Sequence, residues 1–218
     1  KGLTFQRNTG IRLAKYDLVM FFDDDTIIFP NYVDIISNFA QNNPQYYGMM
    51  GYTIDKNLFT RGIGKEYIRR FFLMSNTVGK KNRIYKSFQP CFSRYIKSTQ
   101  DTPILNGNAC YRKEVFNEFL FDENLEQLSG YAFMEDIDFS YRVAKKYKLS
   151  IIPEAKCYHD HEENSRDDFW LLEKHKRINH RYLFKKNIEQ KLLNKIVYYW
   201  SQISYLPRYF YKLATYHK

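Results

Sequence analysis

The chain has 218 residues, of which 27% are charged and 44% are hydrophobic, so its composition is that of a globular protein rather than a disordered one. Most of its net charge of +10 lies near the C-terminal end, where residues 176–218 contain ten Lys and Arg against the single Glu189. The net charge of residues 1–175 is close to zero, which argues against a nucleic-acid-binding protein. Three widely spaced cysteines without a CxxC pattern argue against a disulfide framework or a zinc site.

Alternating helical and strand patterns in the first half of the chain predict an α/β fold with a mostly parallel sheet flanked by helices. In chain order, we expect a helix at 4–15, a buried strand at 18–22, a helix from Pro30 to Asn42 and a strand at 46–52. Residues 53–103 are basic, aromatic and poorly periodic, and we interpret them as an insertion over the active face. Further strands are expected at 104–111 and 149–153, and further helices at 113–119 and 135–147.

Three adjacent carboxylates, Asp23, Asp24 and Asp25, follow the apolar run of the first predicted strand. Two such charges 6–7 Å apart cost about 2.5 kcal/mol at an effective dielectric of about 20. A divalent cation bound by oxygen ligands would relieve this repulsion. Side chains two apart share a face of a strand, so Asp23 and Asp25 would point together. The alternative is a solvated acidic turn after a strand.

Two further groups of residues could carry chemistry. Glu135 and Asp136 lie at the start of a predicted helix, where one could serve as a general base, although the helix dipole alone favours acidic residues there. His159 and His161 alternate in an acidic loop after a predicted strand and could bind a metal, with a preference for Mn²⁺ over Mg²⁺. A Gly-rich phosphate-binding loop is not found in the sequence, so a metal would have to neutralise any pyrophosphate.

The order of these patterns resembles that of family 2 glycosyltransferases with the GT-A (Rossmann-like) fold, over about residues 1–190. The resemblance rests on five segments in the same order, which are Arg7-Asn8-x-Gly10-Ile11 followed by Asp17 to Asp25, Asn106 to Phe116, Phe121-Asp122-Glu123, Glu135 to Arg142, and Pro153-Glu154-Ala155 with His159. Each segment alone is loosely defined, whereas five in the correct order are specific.

The resemblance implies a role for each matching residue. Asp23 and Asp25 would form a DxD motif that binds Mn²⁺ or Mg²⁺, with His159 near the metal or the diphosphate. Asp136 would be the general base that deprotonates the acceptor hydroxyl, and Glu135 would orient it. The nucleotide-sugar donor would be bound by residues of three segments: Arg7, Asn8, Asp23, Asp24, Gly107 and Asn108.

The implied reaction is an inverting, metal-dependent transfer of a sugar to a glycan or lipid-linked acceptor in cell-surface polysaccharide biosynthesis. The family's first nucleotide-binding strand and helix would precede Lys1, so we expect an amino-terminally truncated domain at 1–190 with an acceptor-side insertion at 53–103. The QxxRW motif of processive synthases is not found in the sequence, which favours a non-processive enzyme.

Residues 191–218 form a basic, aromatic, amphipathic tail in which a helical stripe from Leu192 to Ile203 precedes Pro207. This pattern suits a helix on the inner face of an anionic membrane, and equally a helix packed on the catalytic domain or on a partner subunit. We expect a cytoplasmic protein that binds no nucleic acid.

Two other functions stay open, a sugar nucleotidyltransferase on the same fold and, less favoured, a basic nucleic-acid-binding module.

Overall fold

The computed structural model describes residues 2–54, 67, 70–73, 81–93, 96–159, 169–206 and 209, with His159 described by its backbone alone. The helices of the described residues are α1 (Leu3–Leu13), α2 (Tyr32–Asn42), α3 (Asn124–Ser129), α4 (Glu135–Ala144), α5 (Phe169–Asn187) and α6 (Leu192–Ile203), with a 3₁₀ helix at Lys113–Asn117. The strands are β1 (Leu18–Met20), β2 (Thr26–Ile28), β3 (Tyr46–Ile54), β4 (Arg83–Ile84), β5 (Pro90–Cys91), β6 (Gln100–Asp101), β7 (Ala109–Arg112) and β8 (Lys148–His159).

The central sheet has the strand order β1-β7-β3-β8-β2, and β6 pairs with a further part of β8. The two longest strands, β3 and β8, are parallel neighbours in the middle of the sheet. Strand β7 lies between β1 and β3 and is antiparallel to both, so β1, β3 and β8 run in the same direction. The predicted α/β fold is confirmed, and its core strands are parallel in direction although β7 separates two of them.

Three hydrophobic clusters attach the helices to this sheet. Helix α2 buries Tyr32, Ile36 and Ala40, which are spaced by one helical turn, against residues of β3 and β8. A second cluster covers the other side of the sheet and includes the stacked rings of Phe121 and Phe139, whose centroids are 4.3 Å apart. The third joins α4, α5 and α6.

Residues 81–93, which lie in the expected insertion, contribute to the third cluster. Phe88 is fully buried there and its ring packs edge-on against Tyr141 of α4. Most of the rest of the expected insertion, and residues 210–218 of the tail, lie outside the described residues. No helix of the part that the structure describes is long and apolar enough to cross a membrane.

Candidate active site

The three consecutive aspartates form a turn between β1 and β2. After β1 ends, the Phe21 amide still donates to the Ala109 carbonyl at 2.9 Å, so the chain leaves the sheet only at the aspartates. The Thr26 amide then donates to the Asp23 carbonyl at 3.0 Å, which closes the turn and starts β2. Asp24 is exposed and its two neighbours are half-buried, so carboxylate oxygens reach solvent at the end of a core strand.

The segment before β7 shapes this turn. Asn108 is 2% exposed, and its side-chain oxygen accepts from the Asp23 amide at 3.1 Å and from the Thr26 hydroxyl at 2.9 Å. A Cβ atom at Gly107 would lie 2.4 Å from Asp23 Oδ2, so only glycine allows the aspartate its observed place. Ser140 of α4 in turn accepts from the Leu105 amide at 3.0 Å, which fixes this segment against the helix.

Arg7 of α1 connects the aspartate turn to α4. One guanidinium nitrogen is 2.8 Å from Asp23 Oδ1, and the other is 3.0 Å from Glu135 Oε1. The guanidinium also lies beside the rings of Phe21 and Phe121, with centroid distances of 5.9 and 5.2 Å. Arg7 is 8% exposed and Glu135 10%, so this pair is shielded from water and its charges attract each other in a low dielectric, whereas Asp23 is 35% exposed and its pair reaches solvent.

Glu135 and Asp136 begin α4, and the preceding Met134 has a left-handed backbone with φ of 64°. The Asp136 carboxylate accepts from the Ile137 amide at 2.8 Å. Burial raises the pKa of both carboxyls above the ordinary range, and the positive charge of Arg7 opposes the shift. A carboxyl group whose pKa is raised toward neutrality is a better proton acceptor at physiological pH than an ordinary one.

A cleft of about 770 Å³ opens beside these residues. Its walls include Arg7, the aspartate turn and residues 131–135, so Glu135 faces the cleft directly. Asp136 instead lines a narrower space with Arg7, Phe21 and Gly107, on the inner side of the same guanidinium. A volume of this size accommodates a ligand of several hundred daltons.

The donor set suits a magnesium or manganese ion held jointly with a phosphorylated ligand. Asp23 and Asp25 provide carboxylate oxygens two residues apart, and these hard ions are commonly bound by one or two carboxylates together with substrate phosphates. Among the described side chains, no three His, Cys, Asp or Glu residues form a cluster that could hold a metal without such a ligand. The chemistry of the aspartates therefore fits the ion, with the ligand completing its coordination.

The structure assigns different positions to the residues that the sequence analysis selected. Arg7, Asp23, Asp24, Asp25 and Glu135 line the cleft, and Gly107 lies against Asp23 beside it. Their roles in binding and catalysis stay predictions. The backbone of His159 pairs with Thr26, next to the aspartate turn.

The amides of Asn8 and Asn108 face inward, however. Asn8 exchanges hydrogen bonds of 3.0 Å with both backbone groups of Phe121, so α1 is anchored there. Both asparagines are 2% exposed, and in this structure they position the site, while contact with a donor stays a prediction.

Sequence reasoning missed Tyr131 and Phe133, which lie between α3 and α4 in the chain and line the cleft. It also missed Tyr32, whose hydroxyl donates to the Asn108 carbonyl at 3.2 Å and accepts from the Gly51 amide at 3.0 Å. The two cleft aromatics lie just before the Glu135-Asp136 pair in the sequence, and this proximity could have identified them as residues of the site. Tyr32 carried no local signal, because its partners are distant in the chain.

Comparison with known proteins adds to this geometry. Residues 1–119, more than half of the chain, match the family described as Glycosyl transferase family 2. No curated protein sequence matches the chain.

Among solved structures, GalNAc-T7 crystallised with UDP, GalNAc and Mn²⁺ has a TM-score of 0.54 and 13% identity, over 75% of this chain and 31% of that chain. A mycobacterial protein has a TM-score of 0.52 and 11% identity, over 87% and 53% of the two chains. S. aureus TarS, with 15% identity over 94% and 52%, has a TM-score of 0.48, too low for an argument. The chain thus spans about a third to a half of these proteins, and the predicted GT-A fold is confirmed.

Proposed function

Because the chain belongs to glycosyl transferase family 2, we propose that it transfers a sugar from a nucleotide-sugar donor to an acceptor hydroxyl. One observation carries the proposal. Arg7 contacts Asp23 at 2.8 Å and Glu135 at 3.0 Å, so the donor-side aspartates and the acidic end of α4 face each other across a single guanidinium. The charges for a diphosphate site thus share one cleft with Glu135, and the proposed base Asp136 lies beside that cleft in the narrower space.

We infer an inverting reaction by one in-line displacement. The aspartate turn would bind the donor's diphosphate side through Mn²⁺ or Mg²⁺, held by Asp23 and Asp25 with His159 near it. When bound, the ion would supply Lewis-acid stabilisation of negative charge on the departing diphosphate. Gly107 leaves room for the Asp23 carboxylate, and the Asp24 side chain is exposed toward a donor.

Asp136 is the proposed general base and Glu135 its positioning residue. The Glu135 carboxylate is paired with Arg7 at 3.0 Å, which fixes its position beside the proposed base. Asp136 is half-buried, and burial keeps its pKa raised. The proton would pass from the acceptor hydroxyl to the Asp136 carboxylate as the new glycosidic bond forms and the bond to the diphosphate breaks.

The proposed acceptor is a glycan or a lipid-linked sugar, to which a non-processive enzyme of cell-surface polysaccharide biosynthesis would add one or a few residues. Tyr131 and Phe133 on the cleft wall support a sugar acceptor, since aromatic rings offer apolar faces on which sugar rings can pack.

The first test is hydrolysis and transfer by the full chain across a panel of nucleotide sugars. UDP sugars come first, because the fold is shared with GalNAc-T7, which was crystallised with UDP and Mn²⁺. We expect release of the nucleoside diphosphate from one donor with Mn²⁺ and at least a hundredfold loss with EDTA. A rate unchanged by EDTA would contradict the metal site.

The second test replaces an aspartate in the first turn of a helix by asparagine, first at the proposed base and then at a control position in another helix. Asp136→Asn should lower transfer at least a thousandfold with little change in donor KM, because it removes a base that acts only in the transition state. Asp34→Asn, in the exposed first turn of α2, is the matched control and should keep the wild-type rate. Glu135→Gln should retain more activity than Asp136→Asn, and the reverse order would make Glu135 the base.

A further inference from the structure

Helix α6 packs on the protein through its more polar side. Ser201 is fully buried, and its hydroxyl donates to the Tyr198 carbonyl at 2.7 Å. The neighbouring Gln202 lies 3.2 Å from the ring nitrogen Nδ1 of His180 on α5. Tyr198 is the large ring on this side, stacked 4.3 Å from Phe184. This is the reverse of an ordinary surface helix, whose apolar side faces the core.

The apolar side of α6 faces outward. Leu192 is 75% exposed, and the side chains that follow it at helical spacing on the same face are also exposed, namely Leu193, Ile196, Tyr199, Trp200 and Ile203. At 100° per residue these positions cover one continuous side of the helix. Leu206 and Phe71 extend the surface, and the Phe71 ring lies 5.2 Å from the Trp200 ring. Exposed apolar patches of this kind mark interaction sites.

Basic side chains border this apolar side. Lys191 and Lys195 are exposed on α6 itself, and Arg181 and Lys185 are exposed on the adjoining turns of α5. The described acidic residues of this part of the chain are Glu173 of α5, which is buried, and Glu189 between the two helices, which is paired with Lys191. Lys195, Arg181 and Lys185 therefore carry the positive charge of the border. The described surface around α6 is therefore apolar in the middle and positive at its border.

We propose that the outward side of α6 docks on an anionic lipid bilayer and holds the protein at the membrane surface. An apolar strip with Trp and Tyr, flanked by Lys and Arg, matches the acyl boundary and the negative headgroups of such a bilayer. A helix of 12 residues is about 18 Å long, so it lies on a membrane and does not cross it.

A second copy of the chain is a poorer match to the same surface. Two α6 helices laid face to face would bring two positively charged borders together, which is unfavourable.

The test is co-sedimentation of the full chain with vesicles of phosphatidylcholine alone and of phosphatidylcholine mixed with phosphatidylglycerol. We expect at least tenfold stronger partitioning into the mixed vesicles, weakened by added salt. The double variant Ile196→Glu/Ile203→Glu should lose at least tenfold in partitioning. The matched control Leu13→Glu/Leu128→Glu adds the same charge at exposed leucines of α1 and α3 and should partition like the wild type.

A second measurement avoids any change in the α6 strip. The sequence has two tryptophans, so Trp170→Phe leaves Trp200 as the only one. Its emission should shift to shorter wavelength with mixed vesicles and stay constant with phosphatidylcholine alone.

Equal partitioning of the α6 variant and the wild type, or an unchanged Trp200 emission, would overturn the proposal. So would a wild-type dimer that the α6 substitutions dissociate, since a second copy would then cover the strip. None of these readouts depends on sugar transfer, so the proposed reaction can fail while this inference holds.

Discussion

At the scale of the residue, the candidate site depends on atoms that position the carboxylates as much as on the carboxylates. Gly107 contributes by having no side chain, since a Cβ there would lie 2.4 Å from Asp23 Oδ2. Arg7 keeps the same aspartate from moving away, because it holds the other oxygen at 2.8 Å. A substitution at 107 must therefore displace a carboxylate that is fixed on its opposite side.

Gly107→Ala should consequently lower sugar transfer at least tenfold while costing only about 1–2 kcal/mol of stability, the scale of one weakened charged hydrogen bond. Gly10→Ala is the matched control, since a Cβ there has no atom within 4 Å. As a control for stability alone, it should raise the free energy of unfolding by about 0.5–1 kcal/mol, as Gly→Ala does inside helices. Urea unfolding and initial rates measure the two effects, and equal activities of Gly107→Ala and the wild type would show that Asp23 tolerates displacement.

Sequence patterns located the acidic segments of the candidate site, but they did not show which atoms each side chain contacts. The spacing of acidic residues identified the aspartate turn and the start of α4, because charge clusters are visible in a sequence. The same reasoning could not show that the amides of Asn8 and Asn108 face inward. The partners of their side-chain oxygens lie more than 80 residues away in the chain, so only the folded chain reveals them.

At the scale of the element, α4 is attached to α5 by a buried ionic network. Asp138 is fully buried, and its carboxylate accepts from Arg142 at 2.9 Å, from Lys186 at 2.9 Å and from Asn187 at 2.8 Å. Lys186 also contacts Asp122 at 2.6 Å, ahead of α3. The helix that carries the proposed base is therefore held through another acidic residue of its first turn, which faces α5.

Asp138→Ala should lower the free energy of unfolding by about 3–5 kcal/mol, because it leaves the cationic partners of a buried carboxylate without compensation. Glu118→Ala, which breaks the exposed pair with Lys146, is the control and should change stability little. Urea midpoints of the two variants compare the effects. Similar midpoints would mean that water replaces Asp138 at little cost.

The helices also show where periodicity misleads. The predicted helix 4–15 exists as α1 over Leu3–Leu13, yet it buries Thr4, Arg7 and Asn8 beside Ile11, so its inward face is largely polar. Helix α6 was predicted from an apolar stripe that turns out to face outward. The 3.6-residue period identifies a helix, whereas the partner that each face meets is decided by tertiary contacts.

At the scale of the whole molecule, one buried histidine joins three distant parts of the chain. His180 of α5 lies 2.8 Å from the Ser87 carbonyl between β4 and β5, and 3.2 Å from Gln202 of α6. Burial lowers the pKa of His180 to about 4, and the nearby charge of Arg177 lowers it further. Ser87 requires the N–H of Nε2, so the neutral ring donates there and accepts from Gln202.

His180 should consequently lower the stability in mild acid. Unfolded chains bind a proton at histidine near pH 6.5 and the folded chain only near pH 4, so at this residue the unfolded state holds more protons between these values. The contribution of His180 to the free energy of unfolding then decreases as the pH falls, by up to about 1.4 kcal/mol per pH unit, whereas Glu135 and Asp136, whose pKa values are raised, contribute with the opposite sign.

His180→Gln should flatten this dependence, and His175→Gln on the same helix should retain it because His180 is unchanged. Urea unfolding at a series of pH values compares the three proteins. The proposed origin is wrong if His180→Gln keeps the wild-type slope.

The third hydrophobic cluster has a geometric consequence for the molecule. It contains Ile137 of α4, next to the proposed base, and Tyr198 of α6, opposite the outward strip. Whatever α6 rests on is thus kept at a constant height and tilt relative to Asp136. The distance between that surface and Asp136 would then be fixed. Only an acceptor whose hydroxyl extends that far from the surface would reach the base.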